Sequence, residues 1–112
     1  MKTEIIDGEI VRTGGGNVFA DLGLPHPEER LLKAKLMHAI NAEIERRGLT
    51  QEEAGKLVRL KQSELSRIAN GRGSGFSTDR LFEVLRRLGR TIEIHVSAAS
   101  GPIGELCFQE TA

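Results

Sequence analysis

Apolar residues recur at three- and four-residue spacing in the middle of the chain. Leu32, Leu36, Ala39, Ile40 and Ile44 fall on one helical face. Pro27-Glu28-Glu29 suits the start of that helix, because proline fits its first position and carboxylates favour the positive end of the dipole. Arg46-Arg47-Gly48 ends it with cations and a glycine cap. Thr50-Gln51-Glu52-Glu53 reads as a capping box that opens a second helix running to about Val58. That helix contains Gly55, which costs about 1 kcal/mol relative to alanine and implies a close approach by another helix. A third helix is expected from about Gln62 to Asn70, closed by Gly71 and anchored by Leu65, Ile68 and Ala69. Ser77 caps a fourth, with Phe76 placed to staple onto Leu81. Its apolar face is Leu81, Val84, Leu85 and Leu88, and Gly89 ends it.

The pattern changes on either side. From Arg90 to Ser97, Ile92, Ile94 and Val96 alternate with Thr91, Glu93, His95 and Ser97, which predicts a strand with one buried face. A Gly/Pro/Ser turn region follows, then Leu106 and Phe108 in a second short strand. A lone strand leaves its backbone unpaired, so Thr91–Val96 is expected to pair with the tail or with the same strand of a second chain. At the other end, Glu4 to Arg12 reads as a short strand pair or an extended arm. Gly14–Gly16 is a flexible joint, and Phe19, Leu22 and Leu24 belong to a loop or short helix lying against the domain. The expected organisation is a flexible arm (1–16), a helical domain (17–90) and a C-terminal strand and tail (91–112).

Composition narrows the class. The 112 residues are 38% hydrophobic and only 4% aromatic, which fits one small globular domain with a thin core. No apolar run reaches the ~18–20 residues needed to span a membrane. The start, MKTEIIDGEI, lacks a signal-peptide core, and the lone Cys107 excludes an internal disulfide framework. A cytoplasmic protein is expected. Net charge is zero, yet Arg46 to Arg90 holds eleven basic and five acidic residues, a local +6 offset by −6 elsewhere. That asymmetry favours a polyanionic partner.

The third helix shows how such a partner would be read. With Gln62 at 0° and about 100° per residue, Ser66, Asn70, Ser63 and Arg67 fall near 40°, 80°, 100° and 140°. Leu65, Ile68 and Ala69 share the opposite arc, and Glu64 lies at its edge. Glutamine pairs with adenine in the major groove, arginine with guanine, and serine with either. An ordinary amphipathic helix would also carry a polar face. The capping box, the three-residue turn Arg59-Leu60-Lys61 and the local positive charge weigh against that plainer reading. The candidate DNA-binding residues are Gln51, Lys61, Gln62, Ser63, Ser66, Arg67, Asn70 and Arg72. Gln51 and Lys61 sit at helix starts, and Arg72 lies in the Gly71–Gly75 loop, all suited to phosphate.

The run GLTQEEAGKLVRLKQSELSRIANG (Gly48 to Gly71) resembles the Cro/repressor-type, or XRE family, helix-turn-helix. Gln51, Gly55, Val58, Leu60, Leu65 and Ile68 stand where that pattern wants them, while Arg59 replaces its usual turn glycine. NVFADLGLPHPEE before the run and FSTDRLFEVLRRLGRTIEIHV after it look like the HigA-type antitoxin branch, over roughly Asn17 to Val96. The resemblance implies a mainly α, five-helix, lambda-repressor-like fold with a C-terminal β-strand or hairpin. It also implies a homodimer on an inverted-repeat operator in its own promoter, and a RelE-like toxin as partner. A solitary regulator without a toxin, or a mainly toxin-binding module gripping through the N-terminal part, are the alternatives. A DNA-packaging role fits poorly with zero net charge and no intercalating wedge. Neither glycine run ends in the GK[ST] of a phosphate loop, and His26, His38, His95 and Cys107 form no metal or catalytic spacing. No enzyme activity, cofactor or metal is expected.

Overall fold

The computed structural model describes Thr3–Glu4, Ile10–Arg12 and residues 18–111. The triple glycine at 14–16, and Ile5, Ile6 and Gly8 of the expected arm, lie outside these. Residues 33–93 form one compact unit, and residues 1–32 together with 94–112 form another. In chain order the elements are β1 (Thr3–Glu4), β2 (Ile10–Arg12), α1 (Val18–Asp21), α2 (Pro27–Arg46), α3 (Gln51–Val58), α4 (Gln62–Ala69), α5 (Thr78–Arg87) and β3 (Phe108–Gln109). The fold is thus mainly helical with a small C-terminal strand. Four helices have two or more turns, and the expected fifth, α1, is a single turn.

The 33–93 unit holds every buried hydrophobic side chain among the described residues. They run from Leu36, Met37, Ala39 and Ile40 on α2, through Ala54, Val58, Leu65 and Ile68, to Phe76, Leu81, Val84, Leu85 and Leu88. The three- and four-residue spacing on α2 and α5 is what turns these residues to one side. Caps fix where each helix begins. Thr50 Oγ1 accepts from the Glu53 N–H at 3.1 Å, and the Glu53 carboxylate accepts from the Thr50 N–H at 2.9 Å. Ser77 Oγ accepts from the Arg80 N–H at 3.1 Å. Helices also fasten one another's ends. Arg47 donates to the Leu88 carbonyl at the end of α5, and Asn41 donates to the Ile68 carbonyl near the end of α4. Glu43, 7% exposed, is gripped by the Arg46 guanidinium, whose hydrogen bonds hold its pKa below the ordinary value.

The turn between α3 and α4 shows one departure from the sequence reading. Gly55 is closely approached, but by the chain's own turn rather than by another helix: a Cβ there would stand 3.0 Å from the Leu60 carbonyl oxygen. Arg59 completes the turn in the left-handed region, φ 60° and ψ 46°, with its N–H bonded to the Gly55 carbonyl. A side chain in that region costs about 1–2 kcal/mol, partly offset by the looser unfolded chain of glycine. Arg59→Gly is therefore expected to stabilise the fold by about 0.5–1 kcal/mol. Denaturant unfolding should show a raised midpoint at unchanged slope. An unchanged or lowered midpoint would mean that the arginine side chain repays its own strain.

In the other unit, β1 pairs antiparallel with β2 (Thr3 opposite Arg12) and β2 with β3 (Val11 opposite Phe108), giving the order β1-β2-β3. The Leu106 N–H donates to the Glu28 carboxylate at 3.1 Å. Leu22 is 69% exposed and Leu24 37%. The alternating stretch from Thr91 to Val96 forms no strand among the described residues. Ile94 and Val96 are 76% and 93% exposed. Alternation supplies an apolar face but not the partner that a ladder requires, and in the single chain the tail strand pairs with β2 instead.

Candidate nucleic-acid interface

The helix-turn-helix is α3, the left-handed turn at Arg59, and α4. Leu65 and Ile68 hold α4 on the core, but Ala69 is exposed. Its projected angle of about 340° lies beside Gln62 rather than at the centre of the buried arc. Gln51 is the exposed first residue of α3. Lys61 is the N-cap of α4, and Lys61, Gln62 and Ser63 are all exposed at its start. Ser66 is half-buried one turn further on. Asn70 is the C-cap, and its side-chain amide donates to the Ser66 carbonyl at 2.9 Å. Arg72 is exposed in the following loop, its backbone N–H bonded to the Arg67 carbonyl at 2.8 Å.

Arg67 is the most constrained of the set. Its guanidinium donates to the Ser74 carbonyl at 2.8 Å and lies 4.8 Å from the centre of the Phe76 ring. The loop is shaped around it. Gly75 has φ +88°, and a Cβ there would stand 2.7 Å from the Arg67 Nη2.

Three residues outside the sequence-derived set complete this arrangement: Glu64, Phe76 and Arg80. One Glu64 carboxylate oxygen accepts from the Lys61 N–H at 3.0 Å, and the other from the Arg80 guanidinium at 2.6 Å. Arg80 also lies 5.2 Å from the Phe76 ring centre, so that ring carries a guanidinium from α4 and another from α5. The spacing S/T-x-x-E signals such a cap only when its first residue bears a hydroxyl. Lys61 has none, and the 16-residue gap from Glu64 to Arg80 leaves no local trace.

The hydrogen bond from Lys61, then that from Arg80, lowers the Glu64 pKa from its ordinary 4.5. A carboxylate whose folded pKa lies below its unfolded one stabilises the fold above the unfolded value. That stabilisation is lost as pH falls through the folded pKa. Thermal stability is thus expected to hold through neutral pH and to decline below about pH 4.5, the unfolded glutamate range. In Glu64→Gln the decline should be shallower. An acid limb identical to that of the parent would show that this carboxylate is not differentially ionised.

A family model described as a helix-turn-helix domain matches residues 18–97. A solved structure of an XRE family transcriptional regulator matches with a TM-score of 0.69 and 32% identity, over 73% of this chain and 94% of that one. No curated protein matches the chain. The chain belongs to the helix-turn-helix domain family. More particularly, it is an XRE-like helix-turn-helix transcriptional regulator. No helix among the described residues is long and apolar enough to cross a membrane.

Proposed function

We propose that this regulator is a sequence-specific repressor that binds as a homodimer to an inverted-repeat operator in its own promoter. The observation that carries this reading is the start of α4. There Lys61, Gln62 and Ser63 project into solvent while Leu65 and Ile68 fix the helix behind them. In this arrangement Gln62, Ser63, Ser66, Arg67 and Asn70 address base edges, and Gln51, Lys61 and Arg72 contact the phosphate backbone. Two such helices in a dimer would enter major grooves about 34 Å apart, or a multiple of that. Occupancy of the operator excludes polymerase. The exposed Thr91–Val96 segment provides one route to the dimer, by pairing with its counterpart in a second chain.

The protein is further proposed to be the antitoxin of a toxin–antitoxin pair with a RelE-like partner. The motifs NVFADLGLPHPEE and FSTDRLFEVLRRLGRTIEIHV support this reading. The N-terminal arm is the proposed toxin-binding part. A solitary regulator shares the same DNA chemistry and differs only in lacking the partner. Fluorescence anisotropy on the protein's own promoter, against scrambled DNA, tests the repressor reading, and equal affinity for both would end it. A toxin reading frame beside the gene, neutralised by the full chain but not after deletion of Met1–Gly16, would separate antitoxin from solitary regulator.

A further inference from the structure

One face of α5 is not used by the DNA-reading arrangement. Asp79, Phe82, Glu83 and Arg86, with Ile92, line an open depression within the 33–93 unit. Phe82 and Ile92 are only half-buried, so each leaves apolar surface in contact with water. Asp79, Glu83 and Arg86 follow one another at four- and three-residue steps and form a single stripe along the helix. Glu83 is paired with Arg87 at 3.8 Å. The charges of Asp79 and Arg86 are exposed, and neither side chain has a hydrogen-bond or ion-pair partner among the described residues. They are opposite in sign and about 10.5 Å apart along the axis, with Phe82 between them.

This pattern is complementary to itself. If two α5 helices lie antiparallel about a two-fold axis passing between Phe82 and Glu83, Asp79 of each copy faces Arg86 of the other. The two Phe82 rings then meet on one side of the axis, and the two Glu83 carboxylates on the other, where Arg87 of the same chain lies 3.8 Å from each. A two-fold interface requires this reciprocity, in which the residue that i meets in the partner also meets i. We propose that this face of α5 docks a second copy of the chain, through reciprocal Asp79–Arg86 pairs around an apolar centre of Phe82 and Ile92. The proposal rests on the homodimer reading above and assigns it a surface.

Sedimentation of the full chain over a concentration series, with circular dichroism to verify folding, provides the test. The unsubstituted protein should dimerise. Asp79→Arg and Arg86→Asp should each raise the dissociation constant by about tenfold or more, because each homodimer would then contain two like-charge contacts. An equimolar mixture of the two variants should recover dimer, since every reversed charge meets its complement in the other chain. Singles that dimerise as well as the parent would overturn this face while leaving the homodimer intact. Weakened singles that do not recover on mixing would overturn the reciprocal pairing. A parent protein that stays monomeric at every concentration would overturn the homodimer and this face together.

Discussion

Phe76→Ala is expected to lower the unfolding free energy by about 3–5 kcal/mol, the usual range for emptying a buried aromatic site. The ring is 1% exposed and cannot be replaced by water without a cavity. It is also the surface on which Arg67 and Arg80 rest, at 4.8 and 5.2 Å from its centre. Contacts of this kind contribute about 0.5–1 kcal/mol each where partly exposed. Chemical denaturation measures the total. Phe76→Leu, which keeps most of the volume, should lose clearly less. Equal losses for the two variants would show that the aromatic volume does not decide the packing. Because the ring ties α4 to α5, operator affinity in Phe76→Ala should fall even at temperatures where the protein remains folded.

Arg67→Ala is expected to weaken operator binding by about 1–3 kcal/mol and to relax preference at one base position, as loss of a bidentate guanine contact would. Arg72→Ala should instead weaken all sequences similarly and reduce the dependence of affinity on salt, as loss of a phosphate contact would. Anisotropy on operator and scrambled DNA at several salt concentrations separates the two. The structure adds a condition on the Arg67 result. Its guanidinium rests on the Ser74 carbonyl through Nη2 and on the Phe76 ring by its face, which leaves its other N–H donors to meet a base from that position. If Arg67→Ala weakens operator and scrambled DNA equally, its role is to hold the 71–75 loop, and base reading falls to Gln62 and Ser63.

The elements that the sequence makes legible are those whose cause is local. The capping box at Thr50 and the cap at Ser77 need only residues three apart, and both form as read. The helical faces of α2 and α5 are legible because burial repeats with the helix period. Ala69 is misread because a small apolar residue at the boundary of an arc carries no signal of its own. The Thr91–Val96 stretch forms no strand within the single chain, because alternation describes one face, whereas a strand exists through a neighbour. Gly55 signals a close approach but not by what, since the approaching Leu60 carbonyl belongs to a turn whose path depends on Arg59. Of the site, the polar face of α4 is legible from projection. The arrangement joining Glu64, Arg80, Phe76 and Arg67 is not, because its members meet only after α5 folds back onto α4.

The two-sided satisfaction of Glu64 bears on the timing of costs. It is the single acidic residue of α4, and an unattached carboxylate beside a groove would have to be pushed aside or stripped of water each time DNA arrived. Here both oxygens are already engaged, by the Lys61 N–H and by Arg80. The desolvation is incurred once, when the chain folds, and is absent from every later encounter. On the proposed reading, α4 would therefore meet each stretch of DNA with its own negative charge already neutralised, whether that DNA is operator or competitor. What distinguishes the two is left to side chains that remain free to answer the bases.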